Sequence, residues 1–309
     1  MKKQLIDINQ IEPLSKVDGN EYSKGVEDYL SFYGLDFSQE KLDYLFGTFD
    51  SNNFKLAGHI YKPAEYKATV FVLHGYLNHS AEMKNLIGFL LEHNYAVAIF
   101  DLPGHGLSTG QTASIDDFSQ YSDALGNFIN IVEKRLNGPY NIIGFSTGAS
   151  TVMDHLFFHK RNNFDKVILV APLVHYIAWE QSKGILKFYS SFSDSIPRLP
   201  QKVSSDKDYL TFAKNDPLQP KRVPVKWIDA LHEWNEKIAD AAICDSELLI
   251  IQGTMDRTVD WKYNIDFLKH KFRNVEVELI DDCRHEVFNE IPDIREKALL
   301  QVVKHLEGK

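Results

Sequence analysis

The chain has 309 residues, of which 44% are hydrophobic and 25% charged, and its formal net charge is −9. This length suits one large α/β domain with an insertion, and the hydrophobic fraction supplies a core and excludes extensive disorder. The acidic balance argues against a nucleic-acid partner, because such proteins concentrate lysine and arginine on one surface. We therefore expect a folded protein that does not bind nucleic acid.

The N-terminus, the hydropathy and the cysteines predict a soluble cytoplasmic protein. Residues 1–14 contain two lysines but no continuous apolar stretch and no small-residue cleavage site, unlike a signal peptide. No stretch reaches the roughly 20 apolar residues that span a bilayer, so no stable membrane insertion is expected. Cys244 and Cys283 lack the spacing of a metal or redox motif, and a reducing cytoplasm favours free thiols.

Helical and extended patterns alternate through the first part of the chain. A helix is predicted over 21–33, ending at Gly34, and a hairpin around the turn-forming residues 51–53. Four short strands follow, at 68–75, 95–101, 140–145 and 165–172. Three helices separate them, near 83–91, from Ser114 onward and at 147–159.

The helix predicted from Ser114 rests on Asp117 three positions later, which is typical of a capping box. Its apolar face is formed by Ile115, Phe118, Leu125, Ile129 and Val132. Continuous apolar strands alternating with amphipathic helices indicate a mostly parallel central sheet with helices on both faces.

This alternation stops after Pro172. Residues 173–245 contain no convincing strand, several helix-like pieces and a proline-rich break, which predicts an inserted, mainly helical cap. The alternation resumes with a strand at 247–253, a helix near 261–271, a strand at 275–281 and a final helix near 293–307. The predicted organisation is an N-terminal helical arm (1–45), a core in two parts (46–172 and 246–309) and the cap (173–245).

The peptide Gly-Phe-Ser-Thr-Gly at 144–148 follows a predicted strand and opens a predicted helix. This setting is typical of a nucleophile elbow, in which the serine takes an unfavourable backbone conformation and the glycines avoid collisions. A Gly/Ser loop leading into a helix fits the same five residues, so the motif alone leaves a catalytic Ser146 and an ordinary turn equally open.

A serine hydroxyl becomes an effective nucleophile only when a base accepts its proton and a carboxylate orients that base. The acid is expected in a loop after a later strand, ahead of the histidine in the chain. Asp256 lies just beyond the strand at 247–253. Asp260 is better explained as the cap of the next helix, so Asp256 is the predicted acid.

His285 is the predicted base. It follows the strand at 275–281, after the acid in the chain, whereas His270 and His305 fall within predicted helices. Ser146, Asp256 and His285 therefore occur in the order that a serine hydrolase of this architecture requires.

Acyl transfer also requires backbone N–H donors for the oxyanion. Thr147 supplies one by its position after the nucleophile. Tyr76, directly after His74 and Gly75 at the end of an earlier strand, is placed to supply the other. An ordinary turn at His74 and Gly75 is the alternative.

With these segments together, the chain resembles the α/β-hydrolase fold, and more narrowly its monoacylglycerol lipase and lysophospholipase group of serine hydrolases. The resemblance covers about residues 45–309 and rests, in family order, on HGYLNHS, DLPGHGLSTG, GFSTGA, IQGTMDRTVD and RHEVFNE. It implies the same five positions as the residues do: nucleophile, acid, base and two N–H donors. It also implies that Asp101 and His105 shape the site without a catalytic role.

Three residues depart from the family pattern. Phe145 and Thr147 replace the His-x-Met common around the serine of monoacylglycerol lipases, and Tyr76 stands where a smaller residue is frequent. These departures concern the leaving-group side of the site, so the substrate is the open question.

Aromatic side chains of the predicted cap are candidates for an acyl pocket, because several recur at helical spacing from Ile185 to Phe192. Packing of the cap on the core explains any single one better, whereas the set as a whole favours an acyl or alkyl substrate. The candidate substrate-binding residues are His74, Phe145, Trp179, Phe188, Tyr189 and Phe192.

His155 and His159 are spaced so that they could hold a metal, but no third ligand is apparent, and no metal or other cofactor is expected.

Together these residues predict a hydrolase of small carboxylic esters that works through an acyl-enzyme, of carboxylesterase, monoacylglycerol lipase or lysophospholipase type. A thioesterase, a small-peptide aminopeptidase or a carbon–carbon bond hydrolase would use the same machinery. A haloalkane dehalogenase is disfavoured because its elbow residue is a carboxylate. A non-catalytic ligand-binding protein of the same fold, or a scaffold, is the alternative from another class. Oligomeric state is left open.

Overall fold

The computed structural model describes residues 6–17, 22–37, 42–159, 164–181, 192–198 and 201–309. The described strands are β1 (Leu42–Ser51), β2 (Phe54–Pro63), β3 (Thr69–Leu73), β4 (Ala96–Phe100), β5 (Tyr140–Phe145), β6 (Phe164–Val170), β7 (Ser195–Pro197), β8 (Arg222–Pro224), β9 (Cys244–Gly253) and β10 (Phe272–Ile280). The described helices are α1 (Lys24–Tyr33), α2 (Lys84–Glu92), α3 (Ser119–Val132), α4 (Thr147–Phe158), α5 (Lys207–Asn215), α6 (Val225–Ala239), α7 (Trp261–Lys271) and α8 (Pro292–Leu306).

Eight of these strands form one sheet in the order β1-β2-β4-β3-β5-β6-β9-β10. The hairpin of β1 and β2 turns at Asn52, and β2 pairs antiparallel with β4. From β4 to β10 all neighbours are parallel. The predicted mostly parallel sheet is confirmed, and the carboxyl ends of its parallel strands lie at one edge, where a site is expected.

Alternate residues of the central strands face two separate apolar layers. In β3, Phe71 and Leu73 pack in the layer that includes α3, α4, α6 and α7, while Val70 and Val72 pack in the layer that includes α1, α2 and α8. Full burial of such a side chain stabilises the fold by about 1.5–3 kcal/mol. The strands are therefore apolar throughout because both of their faces are covered.

Helix α3 begins at Ser119, five residues after the predicted start at Ser114. The Asp117 carboxylate accepts a hydrogen bond from the N–H of Ser119 at 2.7 Å, and the Gln120 side chain accepts from the N–H of Asp116 at 3.0 Å. The polar cap therefore forms around Asp117, and Ser114 is buried ahead of the helix. All five residues of the predicted apolar face are buried, but Ile115 and Phe118 lie ahead of the helix and only Leu125, Ile129 and Val132 belong to it.

The chain between β6 and β9 contains α5, α6 and the antiparallel two-stranded ribbon of β7 and β8. The expectation that this segment has no strand is therefore wrong. Each of these strands is three residues long and ends in a proline, which is too short for an alternating pattern to stand out in the sequence. The domain boundaries given above stay a prediction.

Among the helices of the described segments, none combines the length and apolar composition needed to cross a bilayer. Cys244 and Cys283 are both free thiols, as expected.

Candidate active site

Ser146 occupies the turn between β5 and α4, and its backbone has φ 53° and ψ −113°. A non-glycine residue at positive φ is strained, typically by about 1–3 kcal/mol. The turn is held because the N–H of Ser146 donates to the carbonyl of Val170 on the neighbouring strand at 2.9 Å. This is the geometry predicted for a nucleophile elbow, which lifts the serine side chain out of the sheet.

The glycines two residues either side of Ser146 are required by close approach of backbone. A Cβ on Gly144 would lie 2.6 Å from the carbonyl oxygen of Gly148, and one on Gly148 would lie 2.5 Å from that of Leu73. Such separations are well inside van der Waals contact, and the obstructing atoms are main chain, so they have little freedom to move.

We expect Gly148→Ala to destabilise the fold by about 1–3 kcal/mol, because the added methyl group must displace the β3 main chain. Gly126→Ala in the middle of α3 is the matched control. Its Cβ would have ordinary contacts at 3.9 Å or more, so it should stabilise the helix by about 0.5–1 kcal/mol. Urea unfolding measures both, and equal stability of Gly148→Ala and the unmodified protein would contradict this account of the elbow.

Ser146, His285 and Asp256 are joined by two hydrogen bonds. The distance from Ser146 Oγ to His285 Nε2 is 3.0 Å, and that from His285 Nδ1 to Asp256 Oδ2 is 2.8 Å. The other oxygen of Asp256 accepts from the N–H groups of Thr258 and Val259 at 2.8 and 3.3 Å. All three side chains are largely buried, with Ser146 5% exposed. The carboxylate is therefore fixed by its own loop and faces the imidazole.

The charges of this group favour an ionised Asp256. Burial works to raise the pKa of Asp256, but the facing imidazole and the hydrogen bonds to the carboxylate outweigh it, so the pKa is lowered. Burial works to lower the pKa of His285, and the Asp256 carboxylate reverses this and raises it. The carboxylate thus holds a proton on Nδ1, which leaves Nε2 to accept the hydroxyl proton of Ser146.

The two predicted oxyanion donors have unused N–H groups. Within the described chain, the backbone N–H groups of Tyr76 and Thr147 have no hydrogen-bond acceptor. Their loops are close together, since a Cβ built on Gly75 would lie 3.1 Å from the Cβ of Ser146. The segments that carry these two N–H groups therefore meet beside Ser146, although one follows β3 and the other follows β5.

His74 and Phe145 are buried in the framework of the site. The ring of His74 has both nitrogens engaged: Nδ1 donates to the carbonyl of Gly75 at 2.8 Å, and Nε2 accepts from the N–H of Leu102 at 2.9 Å. It therefore fastens two loops together and has no nitrogen left for the substrate, contrary to the expected substrate-binding role. Phe145 is 2% exposed, and its ring centroid lies 5.2 Å from that of His285, so it packs against the imidazole.

The cap candidates divide into three cases. Trp179 is buried, stacks on His175 at 4.1 Å between ring centroids and meets His232 edge-on, so packing explains it. Phe192 is 76% exposed. Phe188 and Tyr189 lie outside the described residues.

Asp101 and His105 hold backbone groups, as expected. The Asp101 carboxylate accepts from the N–H groups of Ser80 and Leu107, both at 2.8 Å, and His105 Nδ1 donates to the carbonyl of Pro103 at 2.9 Å. These bonds fix the loop after β4 against the loop that carries Tyr76.

Two other side chains also have structural partners. Asp260 caps α7 by accepting from the N–H of Tyr263 at 3.3 Å. His159 Nε2 lies 3.1 Å from Ser122 Oγ, and its ring stacks on that of His155.

Two polar residues that bind the site loops, Gln252 and Asn78, were not predicted from the sequence. Gln252, at the end of β9, donates to Asp256 Oδ2 at 3.1 Å. Asn78 donates to the buried carboxylate of Glu286 at 3.0 Å and so connects the loop of Tyr76 to the residue after His285. Their only signal in the sequence is that they are polar residues next to motif positions.

A second buried polar cluster joins α5 and the residues after it to the loop that follows β3. His79 Nε2 donates to Asp216 Oδ2 at 2.9 Å, while Glu82 accepts from Tyr209 and Gln219, both at 2.7 Å. Burial raises the pKa of Glu82 to about 7, and the charges facing His79 raise its pKa. The ligand-type atoms of His79, Glu82 and Asp216 lie within 4.8 Å of one another, an arrangement that these hydrogen bonds explain without an ion.

Comparisons with known proteins agree with the fold. A family model described as serine aminopeptidase, S33, matches residues 64–292. A monoglyceride lipase homolog of monkeypox virus is 26% identical over 250 residues, which cover 78% of this chain and 90% of that protein. Phospholipase YtpA of Bacillus subtilis is 23% identical over 237 residues, which cover 72% of this chain and 89% of that protein.

A solved structure extends the likeness to three dimensions. It is a soluble variant of monoglyceride lipase from Saccharomyces cerevisiae in complex with a substrate analog, and it superposes with a TM-score of 0.75. The alignment covers 88% of this chain and 96% of that one. Because the sequence identity is 19%, this likeness shows a shared fold. The predicted fold class is confirmed.

Proposed function

The chain belongs to the serine aminopeptidase S33 family of α/β-hydrolases. We propose that it cleaves small-molecule carboxylic esters with Ser146, His285 and Asp256 as a catalytic triad. One observation carries this proposal: the serine of a strained elbow, an imidazole and an ionised carboxylate are joined by hydrogen bonds of 3.0 and 2.8 Å. The lipase and phospholipase names of the relatives support an ester substrate.

In the first step, Ser146 Oγ attacks the ester carbonyl carbon while His285 Nε2 takes the hydroxyl proton. The carbonyl oxygen becomes an oxyanion, which accepts hydrogen bonds from the N–H groups of Tyr76 and Thr147. Asp256 stabilises the imidazolium that forms. The imidazolium then protonates the departing alcohol oxygen, and an acyl-enzyme on Ser146 is left.

In the second step, His285 takes a proton from a water molecule, whose oxygen attacks the acyl carbon. The same two N–H groups stabilise the second oxyanion. The carboxylic acid departs as Ser146 recovers its proton from His285, and the triad is restored without any cofactor.

A fluorophosphonate probe tests the nucleophile directly. We expect it to label the protein stoichiometrically, with the adduct mapped by mass spectrometry to the peptide that contains Ser146. A protein that stays unlabelled, with Ser146 unmodified, would favour the non-catalytic binding protein.

The substrate class is separated by a second experiment. A chain-length series of chromogenic esters is compared with matched acyl-thioesters and aminoacyl amides, and we expect the highest kcat/KM on esters. Higher kcat/KM on thioesters or amides would assign the same triad to a thioesterase or an aminopeptidase.

A cytoplasmic location stays a prediction from the sequence.

We also expect the pH dependence of kcat/KM to report His285. Only neutral His285 accepts the proton of Ser146, so activity should fall as pH falls through the pKa of the free enzyme. Since Asp256 raises that pKa, the midpoint of the acid limb should lie above about 6.5, the ordinary value for histidine. An uncharged ester avoids titration of the substrate, and a midpoint below the ordinary value would contradict the proposed charge state.

A further inference from the structure

The side chain of Tyr76 is held from three sides, although the proposed role of this residue in the reaction belongs to its backbone N–H. Its ring stacks on Trp227 of α6, with ring centroids 3.5 Å apart and planes inclined by 15°. Its edge contact with His105 has a centroid distance of 5.5 Å, and its hydroxyl donates to the carbonyl of Ala113 at 2.7 Å. A side chain fixed in this way also fixes the direction of its own N–H.

The backbone beside Tyr76 needs such support. Leu77 has φ 65°, a left-handed conformation that a leucine rarely adopts without external restraint. The N–H of Tyr76 has no acceptor among the described residues. Its peptide plane is held on the other side, where the carbonyl of Gly75 accepts from the N–H of Asn78 at 3.2 Å and from His74 Nδ1 at 2.8 Å. The contacts of the Tyr76 ring restrain this peptide from the side of Tyr76, where its N–H has no partner of its own.

Trp227 is itself part of a fixed surface. Further along α6, Trp234 donates from Nε1 to the buried Asp154 of α4 at 3.1 Å, and Lys237 lies 3.3 Å from the same carboxylate. Trp234 also stacks on Phe118, with centroids 5.1 Å apart. Because α4 is the helix that starts at the nucleophile, α6 is anchored to the element that supplies the other oxyanion donor.

From these contacts we propose that Trp227 is a positioning residue of the oxyanion hole, which acts through the stacked ring of Tyr76. This inference rests on the proposed ester hydrolysis. Helix α6 contacts Tyr76 through Trp227 and α4 through Trp234, so it sets the separation of the two N–H donors. Loss of the stack turns the donor of Tyr76 away from the oxyanion and slows the chemical steps, while binding of the uncharged ester is unaffected.

The alternative role for Trp227 is a wall of the acyl pocket, and kinetics distinguish the two. Trp227→Leu removes the aromatic face, and Trp227→Phe retains a smaller one. We expect Trp227→Leu to lower kcat about 10- to 100-fold, less than the 10²- to 10³-fold loss typical when an oxyanion donor is removed outright. KM should change less than about threefold, and the loss should be equal for acetyl, butyryl and octanoyl esters. Trp227→Phe should restore most of kcat.

A trifluoromethyl ketone gives a second measurement, because its adduct with Ser146 places an oxyanion between the two donors. Its inhibition constant should rise in Trp227→Leu by about the same factor as kcat falls, and recover in Trp227→Phe. Trp261→Leu is the control for loss of a tryptophan that packs against the same apolar layer, since Trp261 lies at the start of α7 and has no ring contact with Tyr76 in the described chain. It should leave kcat and the inhibition constant unchanged.

Three outcomes would overturn the inference while leaving ester hydrolysis intact. These are an unchanged kcat in Trp227→Leu, a loss that depends on acyl length or appears in KM alone, and an equal loss in Trp261→Leu at matched urea midpoints. Failure of the unmodified protein to hydrolyse any ester or to react with the fluorophosphonate would instead remove the proposed function, and this inference with it.

Discussion

Replacement of Ser146 by alanine is expected to lower kcat/KM on the preferred ester by about 10⁴-fold or more. The variant keeps His285, Asp256 and both N–H donors, but it has no oxygen to form the acyl-enzyme. Residual turnover should come from water positioned in the same site. Steady-state kinetics measure the loss, and the fluorophosphonate adduct should disappear with it.

The matched control is Ser150→Ala, one turn further along α4. Ser150 is fully buried, and its hydroxyl donates to the carbonyl of Leu173 at 2.6 Å, so it has a structural partner and no contact with His285. Its loss should cost about 1 kcal/mol of unfolding free energy and leave kcat/KM close to that of the unmodified protein. Full activity in Ser146→Ala would refute the proposed nucleophile.

Asp256→Asn should lower kcat by about 10⁴-fold with little change in fold. The amide is nearly the same size as the carboxylate, and its oxygen can still accept from Thr258. However, its NH₂ group facing His285 Nδ1 favours the tautomer with the proton on Nε2, which cannot accept the proton of Ser146. Loss of the negative charge should also move the acid limb of kcat/KM to lower pH, because this charge raises the pKa of His285.

Asp260→Asn is the control for Asp256→Asn, because it removes another negative charge from the same loop without changing the carboxylate that faces His285. Asp260 caps α7, and asparagine is an equally good N-cap, so activity and stability should both be retained. A large loss of activity in Asp260→Asn with an active Asp256→Asn would exchange the roles of the two carboxylates.

The sheet and the order of the site residues could be predicted because they depend on local signals. Apolar runs such as those of β5 and β9 must be buried strands whatever surrounds them, and parallel strands bring their carboxyl ends to one edge. Ser146 and Asp256 follow such runs, and His285 follows β10, a partly exposed strand that ends at the same edge. Their proximity therefore followed from the topology alone.

The rest depends on contacts between distant segments. The start of α3 was misplaced because Ser114 is buried ahead of the helix, and the Asp117 carboxylate accepts from the first N–H of the helix, that of Ser119. His74 looked available to a substrate, but both of its nitrogens are bound by backbone groups, one of them 28 residues away. Trp227 lies about 150 positions from Tyr76, so no local pattern marks the pair.

The buried cluster of His79, Glu82 and Asp216 limits how far this enzyme can be rebuilt by exchanging the predicted cap, residues 173–245, with the corresponding segment of a relative. A foreign segment that lacks Asp216, Tyr209 and Gln219 would remove the hydrogen bonds that these residues make to the buried side chains of His79 and Glu82. Each unsatisfied polar group costs about 1–3 kcal/mol, which is a large share of the 5–15 kcal/mol that stabilises a typical protein. In such an exchange, residues 207–219 should therefore be kept together with the core. The part of the predicted cap that can be replaced is smaller than residues 173–245.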